Sequence, residues 1–366
     1  MKYIYQNRNW PNFYWSNDII LPILLKIKQL QGEIIGKMKM VGFDSQNQAM
    51  LTSITQTILT SSEIEGEKLN LEQVRSSISR KLGLDIAGDV NIPRDIDGIV
   101  EATLDAMINY KSQLTKDRLI GWQAAMFPNG YSGMYKIETG KYRTDKLGPM
   151  QVVSGIYGFE KVHYEAPPAS ILEKEMNNFL RYVNTYNESD NIIKAGISHL
   201  WFVILHPFDD GNGRLARIIT DMLLARSDNC QMRFYSMSAE IRKKRKEYYK
   251  ILEETQKGSL DITNWLLWFL QTLNTAIENS SIIFDNILSK TQFWQRNNHL
   301  NLNERQKKII NMLFDGFEGK LTSTKWAKIC KCSQDTSIND INELIQYGIL
   351  IKQGQARATC YRLCER

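Results

Sequence analysis

The segment from His206 to Arg217 concentrates residues that could carry out phosphate chemistry. It reads HPFDDGNGRLAR, so one imidazole, two carboxylates and two guanidinium groups lie close together in the chain. Gly211 and Gly213 permit backbone angles that other residues avoid, and the apolar periodic run that follows predicts a helix beginning at this turn. The free amides at such a helix N-terminus favour an anion. The sequence therefore predicts a phosphate cradle with an imidazole beside it.

The polar side chains of this segment predict separate roles around a phosphorylated ligand. Arg214 and Arg217 are three positions apart, hence on one face of the first helical turn. Both can form bidentate hydrogen bonds with phosphate oxygens. Asp210 precedes the turn, where a carboxylate can hold Mg²⁺ against those phosphates. His206 follows an apolar helical run that Pro207 ends. Its imidazole is a candidate general base.

The order of these pieces is more specific than any one of them. A His-Pro pair is a common helix stop and Gly-Asn-Gly is common turn chemistry. Together they match HPFx(D/E)GNGRxxR at each specified position, and the chain thereby resembles the Fic family. The resemblance implies a protein adenylyltransferase that uses ATP and Mg²⁺. It also implies a mainly α fold, a helical bundle that carries a β-hairpin flap.

The resemblance assigns a role to each site residue. It implies that His206 is the catalytic base and that Asp210 holds Mg²⁺. The nucleotide-binding residues that it implies are Gly211, Asn212, Gly213, Arg214 and Arg217. Among these, Asn212 is expected to offer its side chain to the α- and β-phosphates, and Arg217 to bind the γ-phosphate. The unspecified position of the signature, Asp209, is expected to face solvent.

An upstream stretch, TSSEIEGEKL, ends a second predicted helix at about 47–66. Glu65 stands at the negative end of that helix dipole and should attract a cation, and Gly66 can supply a left-handed cap. Ser61 to Gly66 also fits (S/T)xxxE(G/N), the inhibitory motif of Fic proteins. The resemblance implies that Glu65 pairs with Arg217 and excludes the γ-phosphate. Taken alone, SxxxEG is a weak pattern, and a glutamate that ends a helix is unremarkable.

A change of hydrophobic period at about 142–168 predicts a β-hairpin, with strands at 150–153 and 161–164. The resemblance implies that this flap holds a target segment by adding a strand. We expect His163 to be an exposed strand residue and His199 to be a core residue. The resemblance also brings Tyr248 and Tyr249 near the nucleotide base.

The chain divides into four predicted parts. Residues 1–45 form an aromatic-rich extension with an amphipathic helix, and 46–275 form the Fic core. Residues 276–302 are predicted to be a connecting helix, and 303–366 a separate unit.

Three predicted helices and the run QGQARATCYRL make this last unit resemble a winged helix-turn-helix, with 333–345 as its recognition helix. The acids Asp335, Asp340 and Glu343 count against DNA binding, whereas Lys352 and Arg357 in the wing favour it. A protein-contact or dimerisation role is slightly preferred.

Composition narrows the class of protein. The 366 residues are 43% hydrophobic and 23% charged, enough to form a sizeable core, and the net charge of +6 permits nucleic-acid contact without requiring it. No apolar run approaches membrane-spanning length and no secretory leader is recognisable. Five cysteines, with spacings unusual for zinc, fit a reduced cytoplasmic protein.

The predicted function is transfer of AMP from ATP to a Ser, Thr or Tyr hydroxyl of a target protein, itself included. Glu65 would inhibit this transfer, and removal of AMP from a modified target is a further activity that the resemblance allows. Two alternatives stay open. One is a nucleotide-sensing transcriptional regulator that binds DNA, and the other is a Fic enzyme with another nucleotide donor. A homodimer is also left open, and no membrane partner is expected.

Overall fold

The computed structural model describes residues 2–40, 42–84, 90–146, 148–155, 159, 161–185, 190–231, 233–314, 317, 319–354 and 359–364. It divides into two compact units, Met1–Ser280 and Ser281–Arg366. Helices dominate, and short antiparallel strand pairs accompany them, so the predicted mainly α fold class is confirmed. In the described part of the chain, no helix combines the length and apolar character that crossing a membrane requires.

The first unit is a helical bundle with two small hairpins. Its helices are α1 (Asn17–Lys39), α2 (Phe43–Ile64), α3 (Leu71–Leu82), α4 (Arg94–Ile108), α5 (Lys116–Met126), α6 (Ala169–Asn184), α7 (Asn191–Leu205), α8 (Asn212–Asp228), α9 (Met237–Lys243), α10 (Arg245–Gln256) and α11 (Thr263–Arg296), the last of which continues into the second unit. The antiparallel pairs are β1 (Tyr131–Ser132) with β2 (Tyr135–Lys136), and β3 (Gln151–Ser154) with β4 (Lys161–Glu165).

Helices α7 and α8 lie at the centre of this bundle. The side chains of α7 are buried from Ile192 to Leu205, and those of α8 from Arg214 to Ala225. A helix that is apolar all round belongs in an interior. One continuous apolar cluster extends from Tyr3 to Ile277, so the aromatic N-terminal segment packs into the same core as α7 and α8. The predicted boundary at residue 45 stays a prediction.

The flap strands lie within one residue of the predicted positions, although residues 147, 156–158 and 160 of the predicted flap lie outside the described residues. The basic run at 239–254 folds as two helices, α9 and α10, which are separated at Lys244 without any Gly or Pro to mark the break. The apolar run at 261–273 and most of the predicted connecting helix at 276–302 lie in one helix, α11.

The second unit has its own small core. Helices α12 (Glu304–Phe314), α13 (Ser323–Cys330) and α14 (Gln334–Gln346) precede a hairpin of β5 (Leu350–Gln353) and β6 (Cys360–Leu363). Buried Trp326, Ile341 and Leu344 join these elements. The element order is that of the predicted winged helix, which stays a prediction, as do its partners. Arg357, placed in the wing from sequence, lies outside the described residues.

Two acidic residues of α14 have partners on α12. Asp340 is buried and accepts hydrogen bonds from Nε and Nη2 of Arg305, at 2.8 and 3.0 Å. Glu343 accepts one from Nε2 of Gln306 at 2.7 Å. Two of the three acids on α14 therefore attach it to α12, and the binding of DNA by this unit stays untested.

Candidate active site

His206 sits at the end of α7 in a left-handed conformation, with φ 48° and ψ 57°. Residues other than glycine seldom adopt these angles, so neighbouring contacts must hold them. Nε of Arg143 donates to the His206 carbonyl at 2.7 Å, and its amide donates to the Pro207 carbonyl at 2.9 Å. The Tyr164 hydroxyl donates to the Ile204 carbonyl at 2.8 Å. Arg143 and a flap tyrosine thus fix the backbone that presents the imidazole.

The environment of His206 keeps its imidazole neutral. Burial lowers the pKa of His206 to about 4, and the nearby Arg143 guanidinium adds to the effect. Nδ1 lies 3.4 Å from the Val203 carbonyl oxygen. If Nδ1 carries the proton toward that carbonyl, Nε2 is left as a proton acceptor. The side chain therefore has the protonation state that a general base needs near neutral pH.

Asp210 and Gly211 form the turn before α8. Oδ1 of Asp210 accepts the Gly211 amide at 2.5 Å, and the Ser132 hydroxyl donates to Oδ2. Gly211 has φ 87°, and a Cβ there would lie 2.9 Å from Cε2 of Phe127, so both backbone and space require glycine. Sequence analysis missed Ser132, which lies on a two-residue strand with no periodic signal.

The residues around Asp210 fit a magnesium ion that is shared with phosphates. Within the described residues there is no group of three or more His, Cys, Asp or Glu side chains that could hold a metal. Mg²⁺ commonly takes only one or two carboxylates and completes its shell with water and substrate phosphates. Asp210 beside a phosphate cradle matches that donor set.

Two side chains of this segment have hydrogen-bond partners within the protein. The Asn212 side chain is buried, its Oδ1 accepting the Phe208 amide at 3.0 Å and its Nδ2 donating to the Phe208 carbonyl at 2.7 Å. It therefore closes the loop, and its predicted contact with phosphates stays a prediction. Asp209 does not simply face solvent, because its Oδ2 accepts the Glu138 amide at 2.8 Å.

Arg217 is 2% exposed and contacts the end of α2. Its Nη2 donates to Oε1 of Glu65 at 2.7 Å and to the Ser61 carbonyl at 2.9 Å, and its Nε donates to Oγ of Ser61 at 2.8 Å. Gly66 follows with φ 90°. Within the described residues, buried Nη1 of Arg217 has no hydrogen-bond partner. The Fic resemblance implied the Glu65–Arg217 contact, and the structure contains it.

Gly213 makes room for this ion pair. A Cβ on Gly213 would lie 2.1 Å from Oε1 of Glu65 and 3.3 Å from Nη1 of Arg217. The carboxylate therefore sits directly on the first turn of α8, where the helix dipole and free amides favour a negative charge. Glu65 occupies the position predicted for a phosphate.

Arg214 contacts a second carboxylate, which sequence analysis missed. Its Nη1 donates to Oε2 of Glu67 at 2.6 Å, and its guanidinium lies 4.9 Å from the centre of the Phe127 ring. Buried Nε of Arg214 has no hydrogen-bond partner in the described part of the chain. The available signal was the repetition in Glu65-Gly66-Glu67, two acids on either side of a helix-ending glycine.

Residues of α9 and α10 hold the C-terminal end of α2. Nε of Arg242 lies 3.1 Å from Oε2 of Glu63. The Ile64 carbonyl accepts Nε of Arg245 at 2.6 Å and the Tyr249 hydroxyl at 3.2 Å. Cationic side chains at a helix C-terminus donate hydrogen bonds to its last carbonyls and interact favourably with the negative end of its dipole. The basic run at 239–254 keeps most of its cations exposed, and two of them, Arg242 and Arg245, also contact the end of the helix that carries Glu65.

Two other histidines, His199 and His163, have structural contacts. His199 is buried between the Thr220 hydroxyl at 2.9 Å and the Tyr248 hydroxyl at 2.8 Å, and burial lowers the pKa of His199 to about 3. This is the predicted core role. Tyr248 is itself buried, and its expected position near a nucleotide base stays a prediction. His163 is not a free exposed residue, since its Nδ1 lies 2.8 Å from Oε2 of Glu253 and ties β4 to α10.

Two family models match the chain. The Fic/DOC family matches residues 113–224, which contain α5 to α7, most of α8 and the signature segment. The chain carries a Fic domain over these residues. A domain of unknown function (DUF4172) matches residues 3–84. Glu65 and Glu67 therefore belong to the DUF4172 match, whereas the arginines that they contact belong to the Fic domain.

Several adenylyltransferases are similar to this Fic-domain protein. Protein adenylyltransferase Fic of Nematostella vectensis is 25% identical over 252 residues, which cover 65% of this chain and 53% of that protein. A probable protein adenylyltransferase of Aquifex aeolicus is 22% identical over 156 residues, covering 43% of this chain and 42% of that protein. The chain thus spans about half the length of the curated relatives it matches.

Solved structures show the same fold. A Fic family protein from Desulfovibrio desulfuricans aligns over 96% of this chain and 98% of its own, at 22% identity and a TM-score of 0.53. Fic-1 from Caenorhabditis elegans aligns over 76% of this chain and 74% of its own, at 21% identity and a TM-score of 0.50. These likenesses support the Fic helical fold of the chain.

Proposed function

We propose that this protein transfers AMP from ATP to a hydroxyl side chain of a target protein. The observation that carries the proposal is the set of groups at the end of α7 and the first turn of α8. A neutral imidazole, that of His206, ends α7, and two buried arginines, Arg214 and Arg217, follow on α8, each of which keeps an N–H without a partner among the described residues. Buried cationic donors that lack partners call for an anionic ligand. The adenylyltransferase relatives support a Fic-type transferase.

Each residue of the cluster has a task in such a transfer. Nε2 of His206 takes the proton from the acceptor hydroxyl as its oxygen bonds to the α-phosphorus, and the bond from that phosphorus to pyrophosphate breaks. The amides that open α8 bind the phosphate oxygens, and Arg214 and Arg217 neutralise their charge. Asp210 would hold Mg²⁺, which when bound offsets negative charge on the phosphates and on the leaving pyrophosphate.

Glu65 limits this activity in the proposed mechanism. Its carboxylate holds Nη2 of Arg217 and covers the Gly213 position. A γ-phosphate would need the same guanidinium, so ATP binds unproductively while Glu65 stays in place. The contacts of Arg245 and Tyr249 with the end of α2 keep the glutamate there. We therefore expect low transfer by the wild-type protein.

Labelling with ATP that carries a radioactive α-phosphate tests the proposal. We expect weak labelling of protein by the wild type, strong labelling by Glu65→Gly and none by Glu65→Gly combined with His206→Ala. Equal labelling by the wild type and Glu65→Gly would contradict the inhibitory role. Labelling that survives His206→Ala would contradict the assignment of the base.

A further inference from the structure

We propose that Glu67 is a second competitor for the phosphate site, occupying Arg214 as Glu65 occupies Arg217, and that it sets the affinity of the protein for nucleotide. The Glu65-Gly66-Glu67 segment would then imitate two successive phosphates. This inference rests on the proposed function, since it assigns regulation to the same site. It differs from the role of Glu65 in two respects, because it concerns Arg214 and because it affects the binding of nucleotide.

The two partners of this ion pair differ in how firmly they are held. The Arg214 side chain is 4% exposed and the Glu67 side chain 43% exposed. Phe127 lies against the guanidinium of Arg214, which keeps it in place beneath the turn. Glu67 can therefore move into water at little cost, whereas Arg214 would be left as a buried cation that requires another anion. A nucleotide phosphate can supply that anion.

A helix-capping motif directs both carboxylates to the same place. The Gly66 amide donates to the Glu63 carbonyl at 3.0 Å, and the Glu67 amide donates to the Ser62 carbonyl at 3.0 Å. With Gly66 at φ 90°, these are the two bonds of a Schellman motif at the end of α2. The motif fixes the backbone on both sides of the glycine. Glu65 and Glu67 consequently reach two arginines that lie one turn apart on α8.

The charges around Glu67 make its bond to Arg214 exchangeable. Burial raises the pKa of Glu67, Arg214 opposes this effect, and the nearby carboxylates of Asp210 and Glu65 raise it further. Three carboxylates thus share the space beside two cations. The negative charge of Glu67 is less well stabilised here than its direct contact with Arg214 alone would indicate.

Steady-state kinetics in the Glu65→Gly background separate this role from a structural one. Because a partly exposed ion pair contributes little, we expect Glu67→Gln to lower the KM for ATP roughly twofold to fivefold. The kcat should change less than twofold. Glu72→Gln, an exposed glutamate in the first turn of α3, removes the same charge without touching Arg214 and is the matched control. An unchanged or increased KM in Glu67→Gln, or an equal decrease in the control, would overturn the proposal.

The affinity for ADP, measured by calorimetry without any target protein, tests the role of Glu67 independently of the transfer reaction. We expect Glu67→Gln to bind ADP more tightly than the otherwise wild-type protein by a similar factor, with Glu72→Gln unchanged. Equal affinity of Glu67→Gln and wild type for ADP would overturn the role of Glu67. A failure of Glu65→Gly to label any protein would instead contradict the transfer reaction.

Discussion

A Cβ placed on Gly213 would lie 2.1 Å from Oε1 of Glu65, so the carboxylate occupies the space that any larger residue would need. Because the obstacle is the end of a flexible side chain, Gly213→Ala should displace Glu65 without distorting α8. We expect it to destabilise the wild type by about 1–3 kcal/mol, the cost of leaving a buried charge unpaired, and to have little effect in Glu65→Gly.

Chemical denaturation of the two single variants and the double variant measures this coupling. Gly121→Ala is the matched control, because a Cβ at Gly121 would meet nothing within 4 Å. It should leave stability unchanged or raise it slightly. Equal destabilisation by Gly213→Ala with and without Glu65 would contradict the direct contact.

The low pKa of His206 predicts the pH profile of transfer. A base must be neutral to accept a proton, and burial lowers the pKa of His206 to about 4. Labelling by Glu65→Gly at saturating ATP should therefore stay flat from pH 8 to about pH 5.5 and fall below that. An ordinary imidazole would lose half its activity near pH 6.5. Loss of labelling centred near pH 6.5 would show that the base is not in the environment described.

His199 predicts acid sensitivity of the fold. Its pKa is lowered to about 3 in the folded state, so the unfolded chain binds the proton more readily. The free energy of unfolding is therefore unaffected by His199 above pH 6.5, where the imidazole is neutral in both states. It decreases as the pH falls from there toward the folded-state pKa, by roughly 1.4 kcal/mol for each pH unit. Urea denaturation at pH 7.5 and pH 5 measures it. His199→Gln should show a smaller decrease between these pH values; an equal decrease would contradict the assignment.

Arg143 should be essential to the position of the base. It is buried, and it donates to the His206 carbonyl at 2.7 Å and to the Pro167 carbonyl at 2.6 Å. Arg143→Met should lower the free energy of unfolding by about 3 kcal/mol and reduce kcat for transfer in the Glu65→Gly background. Lys141→Met, a nearby exposed lysine, is the control. Full kcat in Arg143→Met would contradict its role.

Arg245 should hold the inhibitory helix end in place. Its Nε donates to the Ile64 carbonyl at 2.6 Å. Arg245→Ala should raise ATP labelling by the otherwise wild-type protein, because α2 can then release Glu65, and should have no such effect in Glu65→Gly. Lys250→Ala, an exposed change on the same helix, is the control. An Arg245→Ala protein as inactive as the wild type would argue that α10 does not restrain α2.

The local features of the site could be predicted because their causes lie within a few residues. The apolar run before Pro207 sets the end of α7, and the glycines at 211 and 213 set the beginning of α8. The alternation around 150–165 predicted both flap strands. The Glu65–Arg217 contact followed from a resemblance to a family and not from the spacing of the residues.

The contacts that sequence analysis missed join positions far apart in the chain. Arg143 reaches the His206 carbonyl over a separation of 63 residues, and Glu67 reaches Arg214 over 147. No local pattern encodes such a pairing. Asn212 was assigned to phosphates from the resemblance to a family. A side-chain amide can bind a ligand or its own loop, and the contacts with Phe208 are visible only in the three-dimensional fold of the loop.

The central claim is that this site transfers an adenylyl group with His206 as its base. Incubating Glu65→Gly with ATP labelled in either the α- or the γ-phosphate tests it most directly. Protein should retain the α-label and not the γ-label, and adding His206→Ala should abolish retention. Retention of the γ-label, or of the α-label by the His206→Ala double variant, would contradict the account.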